Sequence, residues 1–503
     1  MSLVLPPLCG FDFAINISNL TFSYEGSFHN IFENVSFQID TDWKLGFTGR
    51  NGRGKTTFLK LLMGKYEYSG TISSNVSFEY FPYDVPDADF FVIDVIHEIS
   101  PNAQDWEIAR ELSLLNVSDD LLYRSYSTLS KGEQTKALLA ALFLKENSFL
   151  LIDEPTNHLD TLGRKTLSDY LKRKHGFILV SHDRVFLDNC IDHILVINKT
   201  NIEVQRGNFS SWWRNKEMQD SFERAENEKH KKEISRLTAA AQKTSGWSDR
   251  VEKSKNGSTN SGSKLDKGYV GHKAAKMMKR SKAIENRQQD LIHEKSKLLK
   301  NLETAESLKL SPLPYHTSRL LELSDVSIAY GSRAVCSNIS FTIEQGDRIA
   351  LQGKNGSGKS SILKLICGEN IPYQGILRKS ERLKISYVPQ STAGLNGFLS
   401  EYIERNLLDE SLFKAILRKF DFPREQFEKR LDEFSEGQKK KVLLAKSLCE
   451  QAHLYIWDEP LNYIDVLSRM QIENLLLEYK PTILFVEHDS AFCENIATKT
   501  VEL

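Results

Sequence analysis

The sequence predicts an α/β chain of two repeated halves joined by a helical hairpin. Three observations predict it. A glycine-rich series of the form GxxxxGK[ST] occurs twice, at residues 49–56 and 353–360, each time between an apolar run and a helical pattern. The motifs that follow it recur at matched distances in both halves. The middle, residues 209–316, carries 23 Lys+Arg against 14 Asp+Glu, while the remainder carries 43 against 53, a division that the net charge of −1 conceals.

Length and composition bound the reading. At 503 residues the chain exceeds one ordinary core and suits two domains of roughly 150–250 residues with a connector. We expect domains at 1–208 and 317–503, with the linker at 209–316. Forty per cent hydrophobic and 26% charged residues describe a soluble globular protein rather than a disordered one. The six cysteines are scattered without a CxxC pair, which argues against a disulfide framework or a zinc site and fits a reducing compartment. No window approaches the ~18 apolar residues of a membrane span, and the first residues lack a basic n-region. A cytoplasmic location without a membrane domain is expected.

In the first half, residues 15–24 and 32–39 alternate apolar and polar side chains as half-buried strands do. Then come Gly49, Asn51, Gly52, Gly54, Lys55, Thr56 and Thr57. The glycines let the backbone wrap a phosphate chain so that its N–H groups and the next helix N-terminus face the anion. Lys55 adds positive charge and Thr56 a hydroxyl for Mg²⁺. An apolar strand then ends in Asp153 and Glu154; in phosphate-loop enzymes the first acid holds the metal's water shell and the second polarises the attacking water. Another strand ends in His182. Alone such a histidine is more often structural, but strand ends are where ligands sit in parallel α/β sheets, so it is expected to contact the γ-phosphate.

Between these lies Leu129-Ser130-Lys131-Gly132-Glu133-Gln134, opening a helical pattern. This order of motifs resembles the ABC ATPase family, and the segment resembles its LSGGQ signature, departing at Lys131 and Glu133. The resemblance makes Tyr24 the aromatic that stacks on adenine and Leu159-Asp160 the D-loop. Tyr83 stands where the family places its Q-loop glutamine, and a phenol cannot reproduce an amide's contacts to metal and water.

The second half repeats the series with Tyr330, Gly353, Asn355, Gly356, Gly358, Lys359, Ser360, Ser361, the Q-loop Gln390, Ser435 and Gly437 of the signature, Asp458, Glu459, Asp465 and His488. From lysine to signature serine is 75 residues in one half and 76 in the other; from lysine to the metal-side aspartate, 98 and 99; from that aspartate to the histidine, 29 and 30. Such agreement marks internal duplication. In the ABC family two such domains close face to face, so the resemblance implies two composite sites for ATP and Mg²⁺. One would join the first phosphate loop, Asp153, Glu154 and His182 to Ser435 and Gly437. The other would join the second loop, Gln390, Asp458, Glu459 and His488 to Ser130 and Gly132.

The linker reads as an antiparallel coiled coil. Residues 209–244 carry an uneven stripe (Trp212, Met218, Phe222, Ile234, Leu237). In residues 273–308, Met277, Ile284, Leu291, Leu298 and Ala305 recur every seventh position. Each 36-residue arm would reach ~54 Å at ~1.5 Å per residue. The tip, about 244–273, is expected to be irregular, and residues 243–282 carry 11 Lys+Arg against three acids. That density at the far end of a hairpin fits a polyanion, because each phosphate contact releases counterions. The candidate tip contacts are Trp247, Arg250, Lys253, Lys255, Lys264, Lys267, Tyr269 and Lys273; Trp247 and Tyr269 can stack on bases or simply anchor the turn.

Two ABC domains around a charged hairpin resemble the ABC-F subfamily, whose members bind ribosomes. The long tip, the absence of room for an extra arm, the short C-terminus and the variant Pro460-Leu461-Asn462-Tyr463-Ile464-Asp465 look like its antibiotic-resistance branch, of the Lsa and Vga type. The resemblance implies a monomer that docks on the bacterial 70S ribosome at the exit site, contacts 23S rRNA and the P-site tRNA, and relieves inhibition by lincosamides, pleuromutilins and streptogramin A. Its rivals are a housekeeping ABC-F translation factor, a transporter's ATPase subunit, and a DNA-repair ABC ATPase.

Overall fold

The computed structural model describes residues 14–25, 30–157, 159–197, 202–254, 308–331 and 333–503, with single helical positions at 276, 279, 282 and 287. The chain divides into two compact units, one of Met1–Trp212 with Ala305–Leu503 and the other of Trp213–Thr304.

In the first domain, β1 (Ala14–Phe22), β2 (Phe32–Asp40) and β4 (Ser69–Ser73) form an antiparallel sheet in the order β2-β1-β4. Alternation drives it: Ile15, Ile17, Leu20 and Phe22 of β1 are buried. Asn19 takes a positive φ where the register shifts, and Asp325 does the same in the second half. The main sheet consists of β3 (Lys44–Thr48), β5 (Ser77–Phe81), β6 (Ser148–Asp153), β7 (Phe177–Val180), β8 (His193–Ile197) and β9 (Ile202–Arg206), in the order β5-β6-β7-β3-β8-β9. Its pairs are parallel except β8 with β9. Strands β6 and β7 read as unbroken apolar runs because they are covered on both faces. The helix Lys55–Leu62 packs on this sheet through Phe58, whose ring meets Phe32, Phe37 and Phe47 edge-on or tilted.

The second domain repeats the plan. Strands β10 (Arg319–Tyr330), β11 (Arg333–Glu344) and β13 (Tyr373–Lys379) make the antiparallel sheet, in the order β11-β10-β13. Strands β12 (Arg348–Gln352), β14 (Ile385–Val388), β15 (Leu454–Asp458), β16 (Ile483–Val486) and β17 (Lys499–Glu502) make the parallel sheet. Its order, β14-β15-β16-β12-β17, matches the first five strands of the first domain's sheet, β5-β6-β7-β3-β8, with no counterpart of β9 among the described residues. Trp457 is fully buried, and its indole N–H donates to Ser447 Oγ at 3.0 Å, so the largest apolar side chain of the core leaves no orphaned donor.

The helix Phe209–Ser254 starts the linker. Phe209 and Trp212 are buried, whereas Met218 and Phe222 are exposed. The helix passes the Thr244 end expected from sequence and takes in Trp247, Arg250 and Lys253, so the N-terminal part of the expected tip is helical backbone. The physical reason is that Gly246 costs only about 1 kcal/mol relative to alanine, and the residues around it sustain the helix. Lys255, Lys264, Lys267, Tyr269 and Lys273 lie outside the described residues, as does nearly all of the second arm. No helix of the described residues is long and apolar enough to cross a membrane.

Candidate functional site: two composite nucleotide cavities

Each phosphate loop leaves the carboxyl end of the central parallel strand and turns into a helix whose N-cap is a left-handed glycine, Gly54 or Gly358. No side chain caps either helix, so their first N–H groups remain open to an anion. The loop lysines fold back onto the loops. Lys55 Nζ donates to the carbonyls of Gly49 (2.8 Å) and Arg50 (3.2 Å), and Lys359 Nζ to those of Gly353 (2.7 Å) and Lys354 (2.9 Å).

A cavity of about 470 Å³ is lined by Tyr24, Asn51, Gly52, Gly54, Lys55, Thr56, Thr57, Asp153, Glu154 and His182, and from the other domain by Ser435 and Gly437. Thr56 Oγ1 donates to Asp153 Oδ2 at 2.8 Å, His182 Nε2 lies 3.2 Å from Glu154 Oε1, and the Tyr24 hydroxyl bonds Thr57 Oγ1 at 2.8 Å. A second cavity, of about 800 Å³, is lined by Tyr330, Asn355, Gly356, Gly358, Lys359, Ser360, Ser361, Gln390, Glu459 and His488, with Ser130 and Gly132 from the first domain. Tyr330 donates to Ser361 Oγ at 3.3 Å, and His488 Nε2 lies 3.5 Å from Glu459 Oε1. Asp458 does not line this cavity; it is buried at the end of β15. Tyr83 lines neither cavity.

Each signature serine caps its helix. Ser130 Oγ accepts from the N–H of Glu133, and Ser435 Oγ from that of Gln438, so a capping box fixes the first turn of each helix, and each serine lines the cavity of the opposite phosphate loop. Asn51 Nδ2 donates to the Tyr463 carbonyl across the domain boundary at 2.7 Å. A Cβ on Gly437 would lie 2.6 Å from that carbonyl oxygen and 3.0 Å from Asn51 Nδ2, so the contact requires glycine. Ion pairs reinforce this side: Arg53 and Arg50 reach Asp421 at 3.2 and 3.5 Å, and Arg184 reaches Glu473 at 2.6 Å.

The acidic pairs differ between the cavities. Burial, with Asp153 adjacent, pushes the Glu154 carboxyl well above the ordinary carboxylate range. Burial works the same way on Glu459, but hydrogen bonds from His488 and Gln390 outweigh it and hold that carboxyl at about 2. Burial pushes Asp458 up to about 6, against the pull of the neighbouring Ser360 hydroxyl. Burial together with the Lys55 charge keeps His182 well below the usual imidazole value.

These residues fit a phosphate-bound Mg²⁺. Asp458 has two buried carboxylate oxygens without a full hydrogen bond, and each site offers one hydroxyl and one aspartate. Among the described residues no cluster of three acidic, histidine or cysteine side chains could hold a metal. An ion that takes most of its coordination from phosphate oxygens and water is the kind this donor set suits.

Sequence reasoning passed over several contributors. Tyr80 donates to Asp153 Oδ2 at 3.0 Å. Lys440, fully buried, ties the carbonyls of Pro389 (3.0 Å) and Glu459 (3.1 Å), and Asn462 Nδ2 donates to Glu459 Oε2 at 2.7 Å. The signal for Lys440 was in the repeat: Thr135 holds its place in the first half, so lysine inside a signature helix is a departure from the duplication.

With the geometry in place, comparison with known proteins is direct. The family model described as ABC transporter matches residues 32–157 and 336–462, half of the chain. The chain belongs to the ABC family. It is an ATPase of that type, with two tandem ABC domains of α/β fold. It is 29% identical over 483 residues to the ribosome protection protein VmlR of Bacillus subtilis, covering 94% of this chain and 84% of the relative. It is 28% identical to the ATP-binding protein Uup of Buchnera aphidicola (96% and 79% covered) and 26% identical to the energy-dependent translational throttle protein EttA of Escherichia coli (94% and 89%). Tandem ABC domains with these relatives support placement in the ABC-F group. Among solved structures, an archaeal ribosome recycling factor ABCE1, in complex with ribosomal stalk protein aP1, matches with a TM-score of 0.61 at 19% identity over 96% of this chain and 87% of that one, a likeness of fold.

Proposed function

We propose that this ABC ATPase binds the bacterial ribosome and protects it from antibiotics of the peptidyl-transferase centre: lincosamides, pleuromutilins and streptogramin A. The observation that carries the ribosome-binding reading is the pair of composite cavities, each closed by the opposite domain, in a chain whose relatives include VmlR, named for ribosome protection, and EttA, named for translational throttling. The basic linker between the domains supplies charge for rRNA. We assign to it insertion beside the P-site tRNA, with the arms pairing as a coiled-coil hairpin.

In this reading Tyr24 and Tyr330 offer ring faces to adenine. Lys55 and Lys359 neutralise the β- and γ-phosphates, and the open helix ends behind Gly54 and Gly358 cradle them. Thr56 with Asp153, and Ser360 with Asp458, would hold Mg²⁺, which when bound would offset the charge that develops on the phosphates. Ser435 and Gly437, and opposite them Ser130 and Gly132, present a helix N-terminus to each γ-phosphate. Glu459 is ionised and held by Gln390 and Asn462, so it can accept a proton from the attacking water while His488 orients the reacting group. Hydrolysis breaks the fit that keeps the domains closed and releases the protein.

The test uses the Glu154→Gln, Glu459→Gln chain. With ATP it should cosediment with 70S ribosomes, whereas failure to do so would overturn the ribosome reading. Expression of the wild-type chain in a susceptible bacterium should raise inhibitory concentrations for the three drug classes. Unchanged values together with ribosome trapping would favour a general translation factor, a reading the EttA similarity supports.

A further inference from the structure

We propose that Tyr80 is a positioning residue of the first ATP site, anchoring the metal-side carboxylate of Asp153 from a strand that has no Q-loop amide. The inference rests on the reading of this cavity as an ATP site. In both domains the edge strand of the parallel sheet lies beside the strand that ends in the acidic pair. In the second domain Gln390, two residues past that strand, lines the cavity and hydrogen-bonds Glu459. In the first domain Tyr83 occupies the matching place and does not line the cavity.

The anchor has moved three residues back along the chain and to the other acid. Tyr80 pairs in register with Leu151, two residues before Asp153, and its hydroxyl donates to Asp153 Oδ2 at 3.0 Å. Its counterpart Tyr387 pairs with Ile456, two residues before Asp458, so the two tyrosines hold the same position in the repeat. They are used differently: the Tyr387 hydroxyl is buried with no hydrogen-bond partner, and neither oxygen of Asp458 has a full one. Thr56 also donates to Asp153 Oδ2, at 2.8 Å, but Thr56 is itself a proposed ligand of the ion. Tyr80 is therefore the donor that can keep Asp153 aimed when the metal engages Thr56. Outer partners of a metal-holding carboxylate orient it and raise its affinity for the ion.

The experiment follows Mn²⁺ by electron paramagnetic resonance in the full-length Glu154→Gln, Glu459→Gln chain with saturating ATP, where two equivalents should bind. Tyr80→Phe in that background should weaken one equivalent by about tenfold and spare the other. Tyr387→Phe, which removes a hydroxyl that has no partner, should leave both within about twofold. Melting temperatures of the nucleotide-free chains report on folding independently. If Tyr80→Phe lowers the melting temperature but leaves both Mn²⁺ equivalents unchanged, or if both tyrosine variants weaken Mn²⁺ alike, the positioning role is overturned. If the parent chain binds no Mn²⁺ with ATP, the ATP-site reading itself falls, and the proposal with it.

Discussion

Replacing Gly437 with alanine separates the stability of a domain from the closure of the pair. The glycine lies in the first turn of the helix Glu436–Cys449, where alanine is the better helix former by up to about 1 kcal/mol; the second domain should melt no lower than the wild type. The same methyl group would sit 2.6 Å from the Tyr463 carbonyl oxygen, against ordinary contacts of about 3.5–4.0 Å. The obstacle is backbone rather than a flexible side chain, so the first interface must part by most of an ångström. A misplacement of that size in a catalytic arrangement costs roughly 10²-fold. Turnover of the first site, measured at saturating ATP in a Glu459→Gln background, should fall by about that factor, and retention of the Glu→Gln chain on ribosomes should need far more ATP. Hydrolysis within threefold of that background would show that the contact is not part of the working closed state.

Three more outcomes are expected. Arg184→Ala removes one half of the ion pair that crosses to buried Glu473; it should weaken closure by about 2 kcal/mol, read as a higher ATP concentration for ribosome trapping, and the exchange Arg184→Glu with Glu473→Arg should recover part of the loss. Glu459→Gln should abolish most single-turnover hydrolysis while Glu154→Gln removes less, because Glu459 is held ionised and Glu154 is pushed toward its neutral form. Glu111→Gln should destabilise the first domain by about 2 kcal/mol, since buried Glu111 accepts from Tyr170 at 2.7 Å and pairs with Lys174. Burial opposes the charge on Glu111, but the bonds from Lys174 and Tyr170 prevail and hold its pKa below the ordinary carboxylate value. A depressed carboxylate stabilises above its unfolded value of about 4.3 and loses that contribution as pH falls through the folded value. Melting curves of wild type and Glu111→Gln should therefore differ at neutral pH and converge as the pH is taken down below about 4.3.

The residues of the two phosphate loops were legible because the chemistry expected of them demands a local order. A glycine turn, a lysine and a hydroxyl must be near neighbours in the chain, and the acidic pair and histidine must end strands. The pairing of each loop with the opposite signature followed from resemblance, and the structure brings those residues to common cavities. What escaped depends on register or on distant chain. Tyr80 reaches Asp153 only because β5 lies next to β6 in one alignment, and Arg184 meets Glu473 across 289 positions. The helix Phe209–Ser254 runs past the expected start of the irregular tip at about 244, because one glycine among helix formers costs too little to end it. Strand order was not encoded in any motif, yet it repeats in both domains.

Because each cavity takes part of its lining from the other domain, a half molecule should be chemically mute. Both domains belong to one polypeptide, so their meeting is first order, and the rate per molecule should not change on dilution. A cut within residues 213–304 would make the encounter bimolecular and forfeit the effective concentration that a covalent tether confers.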